Sequence, residues 1–457
     1  MTATRAVVVG GGITGLTFAS TLIDELASRG VEADVRLIES APEAGGHART
    51  LADGGWLVES GPNGFLDSEP EALSLVDQLG LTSRLIESSA AARRRFIVRK
   101  RQLLQVPSSP GSFLTSKSLS WRGKLRLLGE PWAPGPPKDV DETVFAFAER
   151  RIGREAADTF VDTVVSGISG GDSRALSLRS QFPVLHEWEE AHGSLVKAAF
   201  ARRKKSGGRT RLLTFDRGLG VLTSALAERL GPRVIAGVAV GGIEREGREW
   251  RVSLSNGTSL SAERVVFATP SHITGRVLGS TDGALAAALA SIPYAGLAVI
   301  AMGFRAEDVP RSLDGYGYLV PRSEQFATLG VLWESSIFPG RAPSGRALLR
   351  VVLGGVSRPD VPALDEEAIA ALARSELKAV MGLSAEPERQ WIFRWPKAIA
   401  QYTVGHSERV EAISTALAAH PGLGVCGTAY DGVSFTSAVA SARRSARQLA
   451  DRLSGRS

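Results

Sequence analysis

The chain has 457 residues, 43% of them hydrophobic and 22% charged, with a formal net charge of +6. That length exceeds one ordinary domain and predicts two or three, with ample apolar material for a core. A single cysteine, Cys426, excludes an internal disulfide framework and fits a reducing compartment, and the six histidines show no ligand spacing, so no metal is expected.

The first predicted element is a strand, Ala6-Val7-Val8-Val9, which breaks into Gly10-Gly11-Gly12-Ile13-Thr14-Gly15. Strand, G-x-G-x-x-G and helix in that order are the fingerprint of a loop that holds a dinucleotide pyrophosphate. Gly10 allows the tight turn, Gly12 lets the backbone approach phosphate, and Gly15 lets the helix pack on the strand. The helix, expected from about Thr14 to Ser28, carries Leu16, Ala19, Ile23 and Leu26 on one face. Its free N–H groups, at Ile13 and Thr14 among others, point at the diphosphate. A second strand, Val35-Arg36-Leu37-Ile38, ends in Glu39-Ser40, which places an acid at the ribose hydroxyls of an adenosine. The N-terminal apolar run is too short for a signal peptide and belongs to the first strand.

Gly45-Gly46-His47 then follows, a second glycine pair just downstream of the ribose acid. Nicotinamide enzymes do not need it. Here the chain resembles the flavin-containing amine oxidase and protoporphyrinogen oxidase superfamily, in which such a pair lets the ribityl and phosphate part of the flavin pass closely. The resemblance implies FAD.

From Ser88 to Gly129 there is no acid, while Arg93, Arg94, Arg95, Arg99, Lys100, Arg101, Lys117, Arg122, Lys124 and Arg126 alternate with apolar residues such as Trp121, Leu125 and Leu128. This helix-poor stretch is a solvated basic face, a contact with anionic lipid, or a funnel for an anionic substrate. Nucleic acid is the weakest option, since no binding motif accompanies the charge. A proline-rich loop at 131–137 precedes helical patterns from Asp141, a candidate N-cap, to Val165, and a long helix from His186 to Lys204. A second basic run, Arg202-Arg203-Lys204-Lys205, continues to Arg209 and Arg211.

The texture then turns to β, with Thr214-Phe215, strands near Val234 and Val238-Val240, a hairpin through Asn256-Gly257, and the strand Arg264–Ala268. Gly283 to Phe304 has no charge and is long enough to span a membrane. Pro293 and Gly296 interrupt it, so a helix ending near Ile292 and a buried strand over 297–302 are expected instead. A last strand, Leu423 to Gly427, leads into a helix from about Phe435 to Leu453. Its N-terminus would stabilise negative charge on a reduced flavin. Arg443, Arg444 and Arg447 are expected on its solvated face.

Ordered segments make the resemblance specific to the protoporphyrinogen and coproporphyrinogen oxidases. They are Glu59-Ser60-Gly61-Pro62-Asn63-Gly64-Phe65, Gly167-Ile168-Ser169-Gly170-Gly171-Asp172, Gly315-Tyr316-Gly317-Tyr318-Leu319-Val320-Pro321, Gly330-Val331-Leu332-Trp333, Trp395-Pro396, Gln401-Tyr402 and Gly405-His406. The resemblance implies an α/β (α+β) architecture with a discontinuous, Rossmann-like, GR2-type FAD-binding domain (1–61, 212–271 and 407–457). It adds a mixed-sheet substrate domain (62–90 and 272–406) and an inserted helical, basic domain (91–211) that could face a membrane. It puts Asn63, Arg95, Gly167, Leu319, Leu332 and Val352 at the porphyrinogen, with Arg95 on a propionate and Arg93 or Arg94 as its rivals. It puts Gly61, Pro62, Asn63, Val238, Ala268, Trp395, Gly427, Val433 and Ser434 at FAD, beside Gly10, Gly12, Ile13, Thr14, Gly15, Glu39, Ser40, Gly45, Gly46 and His47. No residue is assigned as a nucleophile or acid–base catalyst.

Four positions depart from the family pattern. Val352 replaces an aromatic, Ala400 a proline, Ser434 a glycine that would leave it as helix N-cap, and Ala438 a frequent cysteine. The implied reaction is six-electron oxidation of protoporphyrinogen IX, or of coproporphyrinogen III, late in haem biosynthesis. Hydride passes from a meso carbon to FAD, and O2 reoxidises the flavin and gives H2O2. The implied setting is cytoplasmic, with peripheral attachment to the inner face of the cell membrane and a homodimer left open. The rivals are an FAD amine or carotenoid oxidase and a non-catalytic scaffold of the same fold.

Overall fold

Val7, Val8 and Val9 are buried because their strand, Thr4–Val9, runs through the middle of a parallel sheet. The computed structural model describes residues 4–107, 109–137, 140–205 and 210–455. The five strands of that sheet, in spatial order Val234–Ile235, Ala33–Ile38, Thr4–Val9, Arg264–Phe267 and Leu423–Val425, come from three distant stretches of chain. Val8 pairs with Leu37 on one side and Val266 on the other. A parallel sheet must be covered on both faces. One face packs on the helices Ile13–Ser28 and Phe435–Leu453 through Leu16, Leu22, Val439 and Ala446. The other face lies under an antiparallel meander, Val240–Glu246, Glu249–Leu254 and Ser259–Ala262, whose second turn contains Gly257 at φ 82.

A seven-stranded mixed sheet forms the second layer. Its order is Arg389–Ala400, Tyr294–Arg305, Arg346–Gly354, Thr328–Leu332, Gly317–Leu319, Arg95–Arg99 and Gln102–Gln105. One face packs on the helix Glu366–Met381, with Ile300, Met302, Val331, Leu349 and Val351 against Ile369, Ala373 and Leu377. This explains the charge-free stretch 283–304. The helix Gly283–Ala290 is followed by Tyr294–Arg305, a strand buried at nearly every position because partners flank it and both its faces are covered. Among the described residues no helix is long and apolar enough to cross a membrane.

Several local expectations are revised. The stretch after Ser88 is not simply helix-poor loop. Arg95–Arg99 and Gln102–Gln105 are sheet strands, and Pro110–Thr115 and Trp121–Leu128 are helices. Asp141 is not an N-cap. Thr143 caps Val144–Ile152, and Asp141 accepts hydrogen bonds from Ser177 Oγ and Gly405 N. Gly153 at φ 85 ends that helix, and a π-helical turn, Ala157–Asp162, leads into Thr163–Ser169. The long helix expected from His186 is two, Pro183–His192 and Leu195–Lys205, separated where Gly193 turns left-handed. The side chains of residues 202–205, and Arg209 altogether, lie outside the described residues, whereas Arg211 pairs with Asp67. The strand expected at Val238 starts at Val240. Arg443 is buried, with its Nε 2.8 Å from Glu71, so it pins the C-terminal helix to its neighbour and is not on a solvated face.

Candidate functional site

The glycine-rich turn is cramped on its protein side and open on one other. A Cβ on Gly15 would lie 1.9 Å from the Gly10 carbonyl oxygen, so only glycine lets this helix sit on the strand. Gly10 itself turns at φ 106. Around Gly12, by contrast, a Cβ would come no closer than 4.0 Å to any described atom, the Gly46 Cα. The second glycine pair is laid edge-on to the first, with Gly45 N donating to Gly11 O at 2.8 Å. Gly12 is the N-cap of Ile13–Ser28, no side chain caps that helix, and no acid lies in its first turn. Its leading N–H groups have no intrahelical acceptor. An uncapped, acid-free helix N-terminus beside space that a Cβ would fill fits a diphosphate.

The remaining predicted cofactor residues surround this cradle. Glu39 accepts from Gly11 N at 2.6 Å and Ala41 N at 2.7 Å, with Ser40 Oγ at 3.1 Å, so the acid is held at the rim. Val238 N donates to Glu39 O, and Ala268 N donates to Val9 O beside Gly10. Gly427 stands at the end of the last strand, and its Cβ would meet Thr14 Cγ2 at 3.3 Å. The C-terminal helix begins one residue after Ser434, whose hydroxyl accepts from Ser437 N at 3.0 Å, so the serine that departs from the family pattern is the N-cap. Val433 packs partly buried against the meander side of the core.

A second cluster joins this cradle to the seven-stranded sheet. His47 meets Trp395 edge to face, with ring centroids 4.3 Å apart, and Trp395 Nε1 donates to Ser60 O at 2.9 Å. His47 keeps an exposed side chain although protein surrounds it closely, as in the wall of a cleft, and desolvation lowers its pKa. A Cβ on Gly61 would fall 2.5 Å from His47 O. Glu59 is buried with Arg341 at 3.2 Å, and accepts from Thr50 Oγ1 at 2.7 Å and Leu219 N at 3.0 Å. Burial outweighs these partners and pushes its pKa up to about 7.

Directly paired residues in a sheet point to the same side. Arg95 pairs with Gly317, Gly317 with Leu332, and Leu332 with Arg350. In the next row Leu319 pairs with Gly330, and Gly330 with Val352. Arg95, Leu319, Leu332 and Val352 therefore share one face, the face away from helix Glu366–Met381. Their neighbours on the covered face, Tyr318, Val331 and Val351, are 3%, 2% and 0% exposed, whereas Leu319, Leu332 and Val352 are only half-buried. Gly167 comes down on this face from the helical insert, where a Cβ would lie 2.4 Å from Leu319 Cδ2. Asn63 is buried beside it, its Nδ2 donating to Glu334 Oε2 at 3.4 Å.

Residues 13–450 match the family described as flavin containing amine oxidoreductase. The chain belongs to that family. Its cofactor is FAD. Within this oxidoreductase family the chain is 28% identical over 444 residues to the coproporphyrinogen III oxidase of Bacillus subtilis, covering 94% of both chains. It is 32% identical over 480 residues to the protoporphyrinogen oxidase of Bos taurus, covering 97% of this chain and 98% of that one. A solved structure from Exiguobacterium sp. 255-15 has the same fold, with a TM-score of 0.87 at 23% identity over 99% of this chain and 100% of that one.

Sequence reasoning about this flavin oxidoreductase missed Tyr316, Glu334, Arg341 and Arg350, which are woven into the site. The signal was there for Arg350. A charged residue inside the apolar run Leu348-Leu349-Arg350-Val351-Val352 needs a buried acid as partner. Among the three rival arginines, Arg94 forms an ion pair with Asp314, while Arg95 lies on the open face with its guanidinium 5.4 Å over the Tyr316 ring.

Proposed function

We propose that this chain oxidises a porphyrinogen to the porphyrin in haem synthesis, protoporphyrinogen IX before coproporphyrinogen III, with O2 as acceptor and H2O2 as product. The observation that carries the reading is the half-buried face of Leu319, Leu332 and Val352, with Arg95 at its edge, next to a dinucleotide cradle. A porphyrinogen is a broad apolar ring with carboxylates on its rim, and that face offers aliphatic surface for the ring and one guanidinium for a propionate. Gly10, Gly12, Gly15 and the first helix would hold the diphosphate, Glu39 the ribose, and Gly45, Gly46, His47, Gly61 and Trp395 the flavin end. When bound, FAD supplies a hydride acceptor. The protein's part is positioning. Leu319 and Leu332 support the ring, Gly167 makes room for Leu319 in that wall, and Asn63 stands between ring and flavin.

The test is an aerobic fluorescence assay with both porphyrinogens, which do not fluoresce until oxidised, with H2O2 measured in parallel. Porphyrin should form, and Arg95→Ala should raise KM about tenfold, the worth of one charge-assisted hydrogen bond. No porphyrin from either substrate with FAD bound would sink the assignment.

A second observation favours a membrane surface as partner. Along Trp121–Leu128, Trp121, Leu125 and Leu128 face solvent at 68%, 63% and 53% exposure, and nearby Trp132 is 83% exposed. Spacings of four and three put the first three on one stripe. Part of the expected basic patch is committed elsewhere. Lys124 is buried on the carbonyls of Leu114 and Ser116, and Arg126 bonds those of Arg150 and Arg151. Lys117 and Arg122 stay exposed beside the stripe. An apolar stripe rimmed by cations suits an anionic lipid interface. The protein should float with anionic vesicles, and Trp121→Ser with Leu125→Ser should abolish flotation without touching turnover of a soluble porphyrinogen. Flotation unchanged in that variant removes the reading.

A further inference from the structure

One buried ion pair holds both ends of the three-residue loop Gly61-Pro62-Asn63, the segment that passes from the cradle to the open face of the sheet. Arg350 sits in strand Arg346–Gly354, and Glu334 begins the short helix Glu334–Ile337. Their side chains are 5% and 4% exposed, with Nε 2.8 Å from Oε1. Arg350 Nη1 donates to the Gly61 carbonyl at one end of the loop. Asn63 Nδ2 donates to Glu334 Oε2 at the other.

A carboxylate only accepts, so the amide end of Asn63 that faces Glu334 is the NH2. The carbonyl oxygen is thus the end turned away from the carboxylate. Burial and then the Glu334 charge raise the pKa of the neighbouring Tyr316 phenol. A buried ion pair often contributes no more stability than apolar residues of the same volume would. Its presence here calls for another role.

We propose that Glu334 and Arg350 are positioning residues that clamp the loop 61–63 and fix the Asn63 amide with its carbonyl toward the substrate, as acceptor for a pyrrole N–H. The pyrrole part rests on the porphyrinogen reading; the clamp does not. Glu334→Gln breaks the orientation rule, because glutamine can donate or accept and Asn63 can then flip. Glu334→Met with Arg350→Met removes both charges together, so no buried charge is left unpaired and a folded, yellow holoenzyme is expected, with the Gly61 carbonyl and the Asn63 amide released.

In both variants kcat should fall at least about tenfold, the order that a displaced reacting geometry costs, with a smaller change in KM. In an Asn63→Ala background Glu334→Gln should cost nothing more, since both changes remove one interaction. Hydrogen exchange of the peptide holding Gly61 to Gly64, followed in the holoenzyme, should quicken in the Met/Met variant. Unchanged kcat, an undiminished loss in the Asn63→Ala background, or unaltered exchange would each overturn the clamp. If the wild-type holoenzyme turns over neither porphyrinogen, the substrate reading fails alone, and the exchange rates still decide the clamp.

Discussion

Gly12→Ala is expected to strip the protein of FAD while leaving the stability of the flavin-free protein unchanged. Gly12 has φ −73 and ψ 178, an extended conformation any residue adopts, so alanine adds no backbone strain. Its Cβ would come no closer than 4.0 Å to a described atom, so it adds no clash within the protein either. The methyl group enters only the space where a diphosphate must approach the backbone. FAD affinity should fall at least about 100-fold, near the upper end of what one forced methyl costs in a tight contact. Gly15→Ala makes the contrast. Its Cβ, 1.9 Å from Gly10 O, forces the turn itself to move, so flavin and flavin-free stability should both be lost. Flavin absorbance after purification and urea denaturation of the flavin-free proteins separate the two cases. A Gly12→Ala protein that keeps its full flavin would place the diphosphate elsewhere.

That contrast marks how far the sequence could be read. The cradle was legible because its constraints are local. A turn, a helix start and a strand end within a few residues leave a spacing that chance seldom reproduces. The return of distant strands to it was legible in the apolar runs 264–268 and 423–427, each ending at a turn. The open face was not legible from residue types. Leu319, Leu332 and Val352 look like core residues, and only the cross-strand pairs Gly317 to Leu332 and Gly330 to Val352 put them beside Arg95. Helix breaks were missed where one glycine decides, as at Gly153 and Gly193, because the apolar period continues across them. The buried ion pairs were missed for another reason. Glu59 with Arg341, and Glu334 with Arg350, are contacts between distant segments, and no local pattern pairs them.

Arg341→Met is expected to destabilise the protein, and to do so by about 1 kcal/mol more at pH 8 than at pH 5, because the folded variant must keep the Glu59 proton that the wild type has released by pH 8. Arg341 is 1% exposed and Glu59 2%, and Arg341 Nη2 also donates to Thr214 at 3.0 Å. Even with the guanidinium present, burial holds the Glu59 pKa at about 7, against an ordinary value of 4.5. The folded state therefore binds this proton more tightly than the unfolded chain does. Stability from this group is fully present below pH 4.5 and is lost as pH rises through 7, by about 3 kcal/mol at 1.36 kcal/mol per unit. Removing Arg341 takes away the main opposing charge, so the folded pKa rises further and the loss keeps growing above pH 7. At pH 5 the variant's Glu59 is protonated in the folded state and no charge is orphaned. Adding Glu59→Gln should then remove the pH dependence of the loss, since the amide oxygen still accepts from Leu219 N and the amide NH2 can donate to the Thr50 hydroxyl with no charge to bury. Urea denaturation of the flavin-free single and double variants at both pH values measures this. An equal loss at pH 5 and pH 8 would mean that Arg341 acts by packing alone, and the electrostatic account of the pair would fall.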